Sequence, residues 1–131
     1  MVKRIALHRF VDRAKVNEAI VEAEKATDAP IVVSLSPYFW GNVRSTAERA
    51  FRRHRLHVTP ERNAVLFFVV PSRRQFVLIG DVAAHEKLGQ HVWDTVAADV
   101  QQHFCGSDPT AGLVYGISEI GRHLARHFPR S

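Results

Sequence analysis

The chain of 131 residues has the length of one domain, and its hydrophobic content of 46% is that of an ordinary globular protein. Its longest apolar run, Ala64 to Val70, ends at Pro71 far short of the roughly 20 residues that cross a bilayer, which argues against a membrane span. The lone Cys105 has no partner for an internal disulfide, and the apolar stretch after Lys3 and Arg4 stops at His8 and Arg9, unlike a signal peptide, so the expected location is the cytoplasm.

The net charge of +5 conceals an asymmetry. From Arg44 to Arg74 eight arginines face only Glu48 and Glu61, a net +6, whereas from Asp81 to Glu119 six acids face only Lys87, a net −5. The charge is therefore dipolar along the sequence, and the fold decides whether it is dipolar in space.

From Asp12 to Thr27, Val16, Ala19, Ile20, Ala23 and Ala26 recur at three- and four-residue steps between charged residues, which predicts an amphipathic helix with Asp12 as its N-cap. Asp28-Ala29-Pro30 ends it, because the residue before proline is driven out of the α region. Ile31 to Leu35 then reads as a short strand. A second helix runs from Val43 to about His54, turning Val43, Ala47, Ala50 and Phe51 inward and its arginines outward.

Ala64 to Val70 is apolar without alternation, the pattern of a central strand covered on both faces. Pro71 to Arg74 is a turn, and Gln75 to Ile79 returns as the antiparallel partner. The chain becomes helical again after Gly80-Asp81, with Val92, Trp93, Val96, Val100 and Phe104 on one face of a helix from His91 to Phe104. Asp108-Pro109 starts the last helix, whose Leu113, Ile117, Ile120 and Leu124 form its core stripe. Its glycines at 112, 116 and 121 each cost roughly 1 kcal/mol against alanine, a cost that points to close backbone packing. The order predicts a single domain over residues 1–131, a three-layer α/β/α sandwich whose small mixed sheet of three to four strands is flanked by helices.

These landmarks resemble the TPM domain family, named for thylakoid-lumen phosphatase-like proteins, and in particular its small soluble bacterial branch. The resemblance is carried by Ala23-Glu24 through Thr27, Thr59-Pro60-Glu61-Arg62-Asn63 leading into Val65-Leu66, Ile79-Gly80-Asp81, Val92-Trp93, Gly112-Leu113, and Ile120-Gly121 through Phe128-Pro129. It implies an α/β/α sandwich and, as reported for some relatives, divalent-cation binding and acid phosphatase activity. Three positions depart from the family pattern: Pro30 stands for a glutamate, Ala64 for a glycine, and Gly80-Asp81 for the Gly-Tyr-Gly of exported relatives.

Two functional readings follow. In the first, Asp81 beyond a strand end, with Glu86 and Asp94, forms an oxygen-rich site for Ca²⁺ or Mg²⁺, and weak phosphate-ester hydrolysis is metal-assisted. The catalytic residues stay unassigned, because the chain has no phosphate loop, no Arg-His-Gly, and no arginine six residues beyond Cys105. The alternative use of Asp81 is as a helix cap. The pair His123 and His127 has the i, i+4 spacing of a chelate, set against a plain surface role. In the second reading the chain is a non-enzymatic interaction module. Tyr38, Phe39 and Trp40 form a contact patch, set against burial under the sheet edge, and Arg49, Arg52 and Arg53, set against a plain solvated helix face, form a basic face docking on a membrane-associated protein or an anionic membrane surface. Nucleic acid is not the expected partner, since no exposed aromatics interleave with the arginines.

Overall fold

The computed structural model describes residues 11–36, 41–106 and 108–131. In chain order the elements are α1 (Arg13–Glu24), β1 (Ile31–Leu35), α2 (Val43–Arg53), β2 (Val65–Val70), β3 (Gln75–Gly80), α3 (Val82–Leu88), α4 (Gln90–Cys105) and α5 (Pro109–His127). Short 3₁₀ turns over Leu56–Val58 and Pro71–Arg73 flank β2.

β2 organises the molecule. All six of its residues are buried, and it pairs in parallel with β1, Ile31 opposite Val65, and antiparallel with β3, Val65 opposite Gly80. Because side chains alternate across a strand, β2 feeds two separate cores. Val65, Phe67 and Val69 point into the larger one, with α1, α4 and α5, while Leu66, Phe68 and Val70 meet Ala47, Ala50 and Phe51 of α2. The result is the expected three-layer sandwich, with α2 alone on one face and the remaining long helices on the other.

The predicted caps form. Asp12 accepts from the N–H groups of Ala14 and Lys15 at 3.1 and 3.3 Å, and Asp108 accepts from Ala111 at 3.0 Å. Two boundaries differ from the sequence reading. α1 stops at Glu24, so Ala26 lies beyond it and is exposed, because Thr27 forms a bridge to Pro129 instead of continuing the helix. The helical stretch after Asp81 is two helices, since Gly89 at φ +86° breaks it between α3 and α4.

Arg55, Arg62 and Arg74 also have positive φ, at 57°, 53° and 49°. Arg74 closes the β2–β3 turn, its N–H donating to the carbonyl of Pro71 at 3.1 Å.

The glycines of α5 serve close packing. A Cβ on Gly116 would lie 2.7 Å from Cγ2 of Val100 and 3.1 Å from the Phe67 ring, and one on Gly121 would lie 2.7 Å from Cβ of Ala23. Gly116→Ala therefore sets a helix-propensity gain of about 1 kcal/mol against an overpacking cost of about 1–3 kcal/mol. The short β-branched Val100 has little freedom to move aside, so the variant is expected to unfold at lower urea than the parent. A midpoint equal to or above the parent's would show that the α4–α5 contact is loose.

Candidate functional site

The loop before β2 and the end of β3 meet because the hairpin register continues by one pair. The Asp81 N–H donates to the carbonyl of Ala64 at 2.9 Å, and the Ala83 N–H to the carbonyl of Arg62 at 2.9 Å. Those bonds hold Arg62 in its left-handed conformation and bring its side chain onto Asp81. The contact is two-pronged: Nε of Arg62 donates to Oδ2 of Asp81 at 2.6 Å and Nη2 to Oδ1 at 2.9 Å. Oδ1 also accepts from the Val82 N–H at 2.9 Å, capping α3. Asp81 is only 7% exposed, whereas the Arg62 guanidinium opens to solvent.

Burial would raise the carboxyl pKa of Asp81. The hydrogen bonds from Arg62 and Val82, with the charges of Arg62 and His57, outweigh that and hold it below its ordinary 3.8. Asp81 is thus an ionised cap locked to an arginine.

The residues proposed as cation ligands do not converge in this arrangement. Three of roughly four lone-pair directions on Asp81 are already occupied by N–H donors. Glu86 is exposed on α3, and exposed Asp94 on α4 accepts from Nε2 of Gln90 at 2.8 Å. Among the described residues no three His, Cys, Asp or Glu side chains form a group able to hold a metal ion, and His123 with His127 lack a third ligand of that kind. As the side chains stand they do not fit a divalent cation: an ion at Asp81 would have to replace the guanidinium. Burial and the neighbouring Arg122 and Arg126 hold the His123 pKa below 6.5, keeping that ring neutral at pH 7.

On the opposite face of the sheet, α2 presents the predicted basic surface. Arg44, Arg49, Arg52 and Arg53 are all exposed. Arg44 lies 3.8 Å from Glu48, and Arg49 donates to Oγ1 of Thr46 at 3.2 Å. Among the described residues Arg49, Arg52 and Arg53 form no ion pair. Tyr38, Phe39 and Trp40 lie outside the described residues.

The sequence reading missed two features. Arg62 was noticed only as part of a motif, although the hairpin register, carried one pair past Val65–Gly80, would have set its loop beside Asp81. It also missed a groove of 290 Å³ along β3, lined among others by Arg44, Leu78, Gly80, Trp93 and Asp94.

The TPM domain matches residues 9–123 of the chain. Among solved structures, the NMR structure of the BA42 protein from the psychrophilic bacterium Bizionia argentinensis superposes with a TM-score of 0.83 at 32% identity, covering 91% of this chain and 81% of that one. No curated protein matches.

The depressed pKa of Asp81 gives a signed prediction. Its contribution to stability is complete above the ordinary value of 3.8 and is lost as pH falls through that value toward the lower folded one. Asp81→Asn, which keeps a capping oxygen but not the charge, is expected to cost about 1–2 kcal/mol at pH 7, discounted because Arg62 is exposed. That deficit shrinks toward zero between pH 5 and pH 2, on the order of the carboxyl titration range. Urea midpoints of parent and variant across that range measure it, and a gap that does not change with pH would remove the charged pair from the account.

Proposed function

We propose that this chain, which belongs to the TPM domain family, is a non-enzymatic docking module that presents the arginine face of α2 to an acidic surface on a protein partner. The observation that carries the reading is that Arg49, Arg52 and Arg53 form no ion pair among the described residues. These are three exposed cations on one rigid helix, neutralised by no acid among the described residues. Ordinary surface helices intersperse both signs, whereas α2 sets one exposed acid, Glu48, against four exposed arginines, and such a basic excess raises the on-rate and selectivity for an opposite charge. Arginine in place of lysine favours carboxylate recognition, because its planar fork binds both oxygens together.

The sandwich supports this use by setting Asp94 and Asp99 of α4 across the sheet from α2. No helix among the described residues is long and apolar enough to cross a membrane. We place the encounter in the cytoplasm, where a chain with one cysteine is at ease.

The cation reading would come forward on one finding. If millimolar Ca²⁺ or Mg²⁺ shifted the Nε–H resonance of Arg62 together with the amides of Asp81 and Asp94, a metal would be displacing the guanidinium.

The docking reading is tested by retention on immobilised polyglutamate. The parent is expected to bind at low salt and to elute as the Debye length contracts, and the triple variant Arg49→Glu, Arg52→Glu, Arg53→Glu to lose more than about tenfold in affinity. The replaced side chains are exposed, so the variant should keep its unfolding free energy to within about 0.5 kcal/mol. Vesicles of phosphatidylserine and phosphatidylcholine form the comparison. Binding to vesicles without binding to polyglutamate would transfer the arginines to a membrane, and indifference to both would end the proposal.

A further inference from the structure

β3 is an edge strand, and its hydrogen-bonding parity follows from the corner already described. Since the Asp81 N–H points at Ala64 of the β2 side, the N–H groups of Ile79, Val77 and Gln75 point the same way. Phe76, Leu78 and Gly80 therefore aim their N–H and C=O groups away from the sheet, and among the described residues these groups have no backbone partner. Proteins normally blunt such an edge with lysine, proline, a bulge or a covering element. From Gln75 to Gly80 there is neither a charged residue nor a proline, and the β2–β3 register runs without a bulge from one end to the other.

No element among the described residues covers the edge; it forms the floor of the 290 Å³ groove between α2 and α4. The two walls differ. On the α2 side stands Arg44, at 3.8 Å from the exposed Glu48 with which an incoming acid would share it, beside Val77 and Ile79, which face that helix; on the α4 side stand Trp93, Ala97 and Asp94, beside Phe76 and Leu78, which face the larger core. The Trp93 wall is fixed: its indole N–H donates to the carbonyl of His85 at 3.2 Å, and its ring stacks on His85 at 6.0 Å. It is also packed tightly against the floor, since a Cβ on Gly80 would come within 2.5 Å of the ring. The groove is therefore already shaped, with main-chain donors and acceptors at the spacing of one more strand.

We infer that the groove takes an extended segment of the partner as a fourth strand, with acidic side chains turned toward Arg44 and apolar ones turned toward Trp93. Main-chain pairing holds such a strand, and the alternation of its side chains selects it. A residue beside Val77 or Ile79 lies on the α2 face of the sheet and meets the guanidinium. A residue beside Phe76 or Leu78 lies on the other face, where an aliphatic group packs on aromatic surface and an acid would meet Asp94. This rests on the docking reading and gives that partner its form: an acidic strand with a two-residue period.

The experiment uses the full chain and a short capped peptide of alternating glutamate and valine. Three control peptides accompany it, one with lysine for glutamate and two N-methylated at every second amide, in the two alternate registers. Amide shifts and slowed hydrogen exchange at Phe76, Leu78 and Gly80 are expected with the first peptide and not with the lysine one. N-methylation in one of its two registers, and Arg44→Glu in the protein, should each weaken binding about tenfold. If the N-methylated peptides bind as tightly and the shifts stay on α2, strand addition is overturned while the docking reading stands. If no peptide shifts either element, both fall. Concentration-dependent protection of Leu78 without peptide would assign the edge to a second copy of this chain and likewise overturn the inference.

Discussion

The structure depends on one strand being dry on both sides. β2 has no exposed residue, so each face must be covered by helices, and the alternation of its side chains dictates that the two covers belong to separate cores. Roughly 1.5–3 kcal/mol accompanies full burial of each large aliphatic or aromatic side chain, which makes this strand the dominant local source of cohesion. The placement of α2 opposite α4 and α5 follows from that requirement.

Most of the architecture was legible because it is written in short-range patterns. The unalternating run before Pro71 identified β2, the period of Leu113, Ile117, Ile120 and Leu124 identified the buried face of α5, and the acids at 12 and 108 marked helix starts that the backbone N–H groups confirm. The break at Gly89 was less visible. Histidine, glutamate and lysine on one side and glutamine and histidine on the other suit a continuous helix, and only the glycine's positive φ divides it. Ala26 was misplaced for a related reason, because its spacing continued the stripe while the bridge from Thr27 to Pro129, a contact across the whole chain, ended the helix first.

The functional site was less legible, and the reason is pairing. A carboxylate at a strand end has the same sequence signature whether it holds a cation or an arginine, and the partner of Asp81 lies 19 residues away in a loop whose conformation is itself unusual. The groove along β3 left no mark in composition either. It arises from the identity of the edge strand and from the helices that bound it, which are properties of topology. The basic face, by contrast, was readable from α2 alone, since Ala47, Ala50 and Phe51 fix which side is buried and so which arginines are exposed.

Arg55 shows what a left-handed arginine costs the backbone. A non-glycine residue in that region carries a backbone penalty of about 1 kcal/mol or more, and Arg55 holds such a conformation with an exposed side chain and no side-chain capping bond. Glycine or asparagine would relieve it without disturbing Leu56 beneath. Position 55 therefore carries a positive charge at the expense of a relaxed turn, and the two are not available together from either of the residues that fit the backbone there.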